Sequence, residues 1–374
     1  MDSSGILEKA LSGDRITIKE GSYLYENAPL TELGAAAQSL RNARWDPKTV
    51  TFVIDRNINY TNICNVDCKF CAFYRKPTAP DTYTLTKEHV LKKVGELVAL
   101  GGTQVLLQGG LNPKIKWEYY IELLEAISDA FPTVDIHSFS PTEIEFFAKY
   151  YHKTIRQVLE ELRDAGLKSL PGGGAEILVD RVRQLVSPHK ITAKGWLNVM
   201  EEAAKLGMRT TATMTYGFFE TIDERMEHFD VLRQLQDKYG SFTAFIPWSM
   251  QPEQTELEGQ FEKSTATDYL RTIALSRIMM DNFASIQAGW VTEGTKSAQM
   301  ALHFGANDFG GILMEENVVS ATGVTFWTDL EEVLRLIKEA GFVPSQRNTY
   351  YKILKRYDTY ERPELKKNAL MVLR

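Results

Sequence analysis

From residue 50 onward the chain alternates between two hydrophobic patterns. Short apolar runs rich in β-branched residues lie at 51–55, 103–108, 134–139, 167–170, 209–216, 242–247 and 284–288, and these predict buried strands. Between them run longer segments with apolar residues three and four apart. They predict helices over 86–100, 117–130, 141–165 (broken near His152), 196–206, 224–238, 267–281, 293–303 and 329–340. Thr86 with Glu88 marks the start of the first helix, and Gly101-Gly102, Gly207 and Gly341 stop three of them. Asn307-Asp308 marks the edge of a weak eighth strand. Strands alternating with helices predict parallel pairing through right-handed crossovers. Roughly eight such units fit a closed α/β architecture, a (β/α)8 barrel of TIM type, better than an open sheet.

The first fifty residues read differently. Apolar positions at helical spacing over 6–11, 14–20 and 33–42 predict an N-terminal helical cap, 1–49, packed on a barrel domain, 50–374. Composition is that of a globular protein, with 44% hydrophobic and 25% charged residues. A net charge of −6 leaves no basic footprint for nucleic acid. No apolar run approaches a membrane span, and the N-terminus lacks the layout of a signal peptide. An odd cysteine count argues against an oxidising compartment, so the expected location is the cytoplasm.

All three cysteines fall in one stretch: Cys64, Cys68 and Cys71, spaced Cys-x3-Cys-x2-Cys, with Phe70 before the third. Thiolates gathered this way suit a soft metal centre. A closed zinc site wants a fourth ligand, and the nearest histidine, His89, has no matching spacing. A ferredoxin-type cluster uses four cysteines. Three therefore leave one iron of a cluster open to a small molecule. The plain alternatives are a disulfide with a spare thiol and a zinc-binding scaffold without catalysis; the tight clustering argues against the first.

The motif resembles the signature of the radical S-adenosylmethionine (radical SAM) enzymes. The resemblance implies a 4Fe-4S cluster on Cys64, Cys68 and Cys71, with S-adenosyl-L-methionine on the open iron and cleaved to a 5′-deoxyadenosyl radical. It also implies a small reductant, flavodoxin or ferredoxin, docking near the loop. Further stretches at 71–75, 106–113, 137–144, 170–177, 244–252 and 305–311 resemble one branch of the family, that of the menaquinone futalosine-pathway enzymes and the deazaflavin cofactor synthases. Within it the pattern is most similar to the cyclases that act on dehypoxanthine futalosine. Those enzymes abstract hydrogen from ribose C4′ and close a ring onto the benzoate. Aminofutalosine synthase and a deazaflavin synthase component are the rivals within the branch.

Active sites of such barrels lie at the C-terminal ends of the strands, and unusual residues collect there. Gln108-Gly109-Gly110 follows the second strand and resembles the element that holds the amino group of S-adenosylmethionine, with Leu111 where the family carries an acid. Paired glycines let backbone approach a ligand closely, or simply turn the chain. Glu176, after three glycines, is expected on the ribose hydroxyls, Lys190 on the methionine carboxylate, and Met214 beside the adenine. A solvated lysine and a core methionine are the bland readings. The closing deprotonation needs a base, and Asp308, Glu316 and Glu293 are the candidates. His137 and His303 read as structural imidazoles.

Overall fold

A computed structural model describes residues 1–359; the rest of the expected barrel segment, 360–374, lies outside the described residues. Its strands are β1 (Thr49–Val53), β2 (Asp55–Asn59), β3 (Gln104–Gln108), β4 (Asp135–Ser138), β5 (Ser169–Leu170), β6 (Arg209–Tyr216), β7 (Phe242–Ser249), β8 (Ser285–Ile286), β9 (Asp308–Gly311), β10 (Val343–Arg347) and β11 (Ile353–Arg356). β2 to β8 form one parallel sheet in sequence order. Its two edges meet through β9, which pairs with β1 at Thr51↔Asp308 and bridges to Gln287 beyond β8. β1 and β2 form one run interrupted at Ile54, so β1/β2, β3 to β8 and β9 close an eight-stranded barrel.

Alternation sets which side chains enter the lumen. Arg56 points outward, donating to Glu96 and to the Lys93 carbonyl of helix Lys87–Ala99. Its neighbours Asp55, Asn57 and Asn59 therefore face inward. The outer helices follow the sequence pattern closely. Pro141–Tyr150 and Ile155–Asp164 are separated at His152, whose φ of +55° ends the first. Thr86, Ser140, Thr154, Thr192, Thr221, Thr265 and Asp329 each cap a helix through the side chain, worth about 1 kcal/mol apiece.

Helices Ile18–Asn27 and Leu30–Arg44 lie against the outer helices Ile222–Tyr239 and Ala266–Met279, and Ser3–Leu11 packs on Ile18–Asn27 and Leu30–Arg44. Gly21 packs where a Cβ would strike Met279 and Met226, and Arg271 donates to the Tyr25 and Ala28 carbonyls. Among the described residues no helix is long and apolar enough to cross a membrane.

Two features depart from the pattern. The first strand runs to Asn59 rather than stopping at residue 55, because polar Asn57 and Asn59 sit inside the barrel. β10 and β11 have no apolar signature either. β10 pairs parallel with β1, Thr49↔Val343, and carries Arg347 into the barrel floor.

Candidate active site at the barrel mouth

The loop after β2 is pinned by its own backbone. The Cys64 amide donates to the Arg75 carbonyl (3.0 Å) and the Arg75 amide to the Asn62 carbonyl (2.7 Å). The Arg75 guanidinium donates to the carbonyls of Ala72, Phe73 and Tyr74. Backbone N–H groups of Tyr74 and Phe73 reach the Cys71 sulfur. Cys68, Val66 and Leu111 are buried together, with Cys64, Cys71 and Phe70 against them. Burial pushes the free Cys68 thiol up to about 12 and raises Cys71, so a metal must displace their protons.

Gln108, Gly109 and Gly110 turn directly above this loop. A Cβ on Gly110 would sit 2.2 Å from the Ile63 carbonyl and 2.9 Å from Cys64 Cβ; one on Gly109 would strike the Tyr60 ring. These glycines therefore let the cysteine loop close against β3. Gln108 Nε2 donates to the Phe139 carbonyl at 3.4 Å and occupies the space left beside Gly173.

Beneath the turn stands Glu143, which the sequence reading missed. The Gly109 amide (3.1 Å), Tyr60 hydroxyl (2.7 Å) and Ser140 hydroxyl (2.8 Å) all donate to its carboxylate. Burial lifts its pKa to about 7. Ser140-Pro-Thr-Glu143 has the spacing of a capping box, and that was the available signal. Here the acid at the third helical position reaches across to the next strand as well.

Glu176 is buried between two cations. Lys190 Nζ lies 2.7 Å from Oε1 and Arg183 Nη1 3.1 Å from Oε2. Burial raises the Glu176 carboxyl, but Lys190 and Arg183 outweigh it and hold the group below the ordinary range. Burial lowers the Lys190 ammonium, while Glu176 and Cys68 lift it above the usual lysine value. Lys190 also stands 5.3 Å from the Phe70 ring centroid, and Phe70 packs edge-on against Phe218. Lys190 thus joins Glu176 to the cysteine loop rather than lying solvated.

Met214 is fully buried in the main core. Tyr216, two residues on, meets Arg225 of an outer helix, so strand alternation turns Met214 outward too. Thr215 faces the other way, its amide donating to the Glu176 carbonyl. The expected adenine contact at Met214 is corrected accordingly.

The three candidate bases do not converge. Asp308 is on the floor, held by Arg347, Thr51 and the Gly310 amide. Both its oxygens are occupied in a structural ion pair, which sets it apart from the mouth. Glu316 accepts the amides of Val318, Val319 and Ser320 (2.8 Å each), folding its own turn. Glu293 accepts from the Ser249 amide (2.9 Å) and the Thr292 hydroxyl (3.1 Å), and burial raises its pKa. It opens, with Ser249, Gln251 and Thr322, onto a cleft of about 540 Å³. Burial holds His137 neutral, its pKa lowered to about 3, and it pairs with Ser169.

Residues 58–232 match the radical SAM superfamily, and 239–359 match the CofH/MqnC C-terminal region. The chain is 44% identical to the cyclic dehypoxanthine futalosine synthase of Halalkalibacterium halodurans, over 97% of this chain and 98% of that one. It is 42% identical to the synthase of the same name from Streptomyces coelicolor, over 96% and 90%. The chain belongs to the radical SAM superfamily. Its identity to the aminodeoxyfutalosine synthase of Thermus thermophilus is 37%, over 95% and 97%. The fold of this radical SAM protein is shared with methylornithine synthase PylB (TM-score 0.74, 19% identity, 91% of this chain and 97% of that one). It is shared also with the hydrogenase maturase HydG of Carboxydothermus hydrogenoformans (TM-score 0.75, 18%, 93% and 80%).

Radical SAM proteins use a 4Fe-4S cluster and S-adenosyl-L-methionine, and the donor set here fits them. Three thiols on a pinned loop suit a multi-iron cluster, whose ligand sulfurs stand further apart than those around a single zinc.

Proposed function

We propose that this chain converts dehypoxanthine futalosine to its cyclic product in menaquinone biosynthesis. The observation that carries the reading is the 44% identity to a cyclic dehypoxanthine futalosine synthase along almost the whole chain. When bound, the cluster and S-adenosylmethionine supply the 5′-deoxyadenosyl radical that takes hydrogen from ribose C4′. The chain's own residues hold the partners and manage the proton. Cys64, Cys68 and Cys71 grip the cluster. Gln108, Gly109 and Gly110 offer backbone to the methionine amino group, and Lys190 its charge to the carboxylate. Glu176 retains lone pairs for ribose hydroxyls, and Phe70 packs beside the adenosine.

Ring closure on the benzoate releases one electron, which the cluster, when bound and left oxidised by cleavage of S-adenosylmethionine, would take back, and one proton. We assign the proton to Glu293, whose raised pKa strengthens it as a base; Asp308 and Glu316 have their oxygens engaged elsewhere. A small reductant, flavodoxin or ferredoxin, is proposed to dock outside the cysteine loop. There Lys69, Leu185, Phe219 and Leu257 border a shallow cavity of about 550 Å³.

The test is an anaerobic assay with dithionite, S-adenosylmethionine and dehypoxanthine futalosine. The expected product is lighter than substrate by the abstracted hydrogen and the released proton. Release of 5′-deoxyadenosine without that product rejects the cyclase and leaves aminodeoxyfutalosine synthesis as the next reading.

A further inference from the structure

Gln251 lies just past the end of β7, on backbone held by the Met250 amide, which donates to the Tyr216 carbonyl (2.8 Å). The residue is 8% exposed. Its Nε2 donates to the Ser249 carbonyl (3.4 Å) and the Ser249 hydroxyl (3.1 Å). A carbonyl only accepts, so the amide cannot be turned end for end. Oε1 is then left without a donor among the described residues, and it is not an enclosed oxygen as Oε2 of Glu253 is. Gln251 lines the cleft of about 540 Å³ onto which Glu293 opens. That volume is within the range of small-molecule sites, and an acceptor so nearly buried calls for a donor.

The surroundings select the donor. Ser249 receives both Gln251 bonds, its amide donates to Glu293 Oε1 (2.9 Å), and its hydroxyl bonds to the same carboxyl group. One residue therefore holds Gln251 and Glu293 side by side. The charged side chains lining the cleft are Glu253, Lys263 and Glu293, and the first two pair at 2.6 Å. An acid is left unbalanced next to Gln251. A carboxylate or phosphate there would meet like charge and carries no hydrogen for Oε1. A neutral hydroxyl brings the hydrogen without the charge. Ring closure also sets a sugar in this place, because the sugar carbon that gains the new bond becomes attached to the ring that Glu293 deprotonates.

We propose that Gln251 is a specificity-determining residue whose Oε1 accepts a hydrogen bond from a hydroxyl on the sugar portion of the substrate, with the ring against Glu293. The identity of the sugar rests on the cyclase reading.

The experiment uses cluster-loaded wild type and Gln251→Met, a side chain of similar length, with dehypoxanthine futalosine and its monodeoxy-ribose analogues. In wild type, loss of one particular hydroxyl should raise KM roughly tenfold or more. In Gln251→Met the parent substrate should suffer a similar rise and the same analogue less than about twofold more, at unchanged iron content and KM for S-adenosylmethionine. The proposal is overturned if every analogue stays within about twofold of the parent in wild type. It is also overturned if Gln251→Met keeps the full discrimination and loses only kcat, since Gln251 would then serve to set Ser249 against Glu293. The analogue series on wild type needs no variant to fold. Absence of ring-closed product from wild type with the parent compound rejects the cyclase reading instead, so the two failures are distinct.

Discussion

Asp308 and Arg347 meet in a buried two-point ion pair, Nε to Oδ2 at 2.6 Å and Nη2 to Oδ1 at 3.0 Å. One comes from the strand that closes the barrel and the other from the strand added beneath β1, so the pair locks the late segment to the floor. The Tyr351 ring covers the guanidinium at 3.8 Å. Asp308→Asn leaves a buried cation short of its counter-charge and should cost about 3–5 kcal/mol, read by denaturant unfolding. Ring-closure kcat per iron-loaded chain should change less than about twofold, since a floor pair lies outside the reach a base needs. A large loss of kcat at undiminished stability would return Asp308 to the chemistry.

Gly110 has no room for a side chain, because the Ile63 carbonyl stands 2.2 Å from where its Cβ would be. The obstacle is backbone of the cysteine loop, which cannot rotate away. Gly110→Ala should therefore push that loop off β3 and lower iron and sulfide per chain severalfold, with the far-ultraviolet circular dichroism of the barrel kept. Normal iron content in a folded Gly110→Ala protein would mean the turn has slack that these distances deny.

Among the described residues Lys190 is the one cation that touches both Glu176 and the Phe70 ring. Lys190→Met leaves Glu176 paired with Arg183, so the site keeps its shape while losing one charge-assisted donor. A donor of that kind is worth about 1.5–3 kcal/mol, which corresponds to a KM for S-adenosylmethionine raised roughly tenfold to a hundredfold at normal iron content. An unchanged KM would assign Lys190 to packing alone.

The barrel was legible because its helices and apolar strands carry two distinct periods, and the cysteine loop because three thiols fall within a stretch of eight residues. What escaped the sequence is polar and long-range. Asn57 and Asn59 interrupt an apolar pattern precisely where the lumen needs polar groups, so the first strand reads short. Val343-Pro-Ser-Gln-Arg347 has no strand signature because it pairs at the barrel floor with buried polar side chains. Met214 was assigned by motif position, yet a strand turns alternate residues to opposite faces, and Met214 lies on the core face. Glu143 needed the fold, since its partners Tyr60 and Gly109 are distant in the chain.

Glu143 also gives the fold a pH signature. Burial lifts its carboxyl from an ordinary 4.5 up to about 7. Between those values the folded chain holds a proton that the unfolded chain has released, so the native state binds more protons. Stability therefore falls as pH rises through that window and levels off above it. Glu143→Gln has no such proton, while its amide oxygen can still accept from Gly109 and Tyr60. Its Tm relative to wild type should then climb between about pH 5 and about pH 8, measured anaerobically on cluster-loaded protein. Asp55, raised to about 6 by burial, titrates in both proteins and cancels in the difference. Parallel melting curves across that range would show that Glu143 is already ionised in the fold, and that its three donors outweigh its burial.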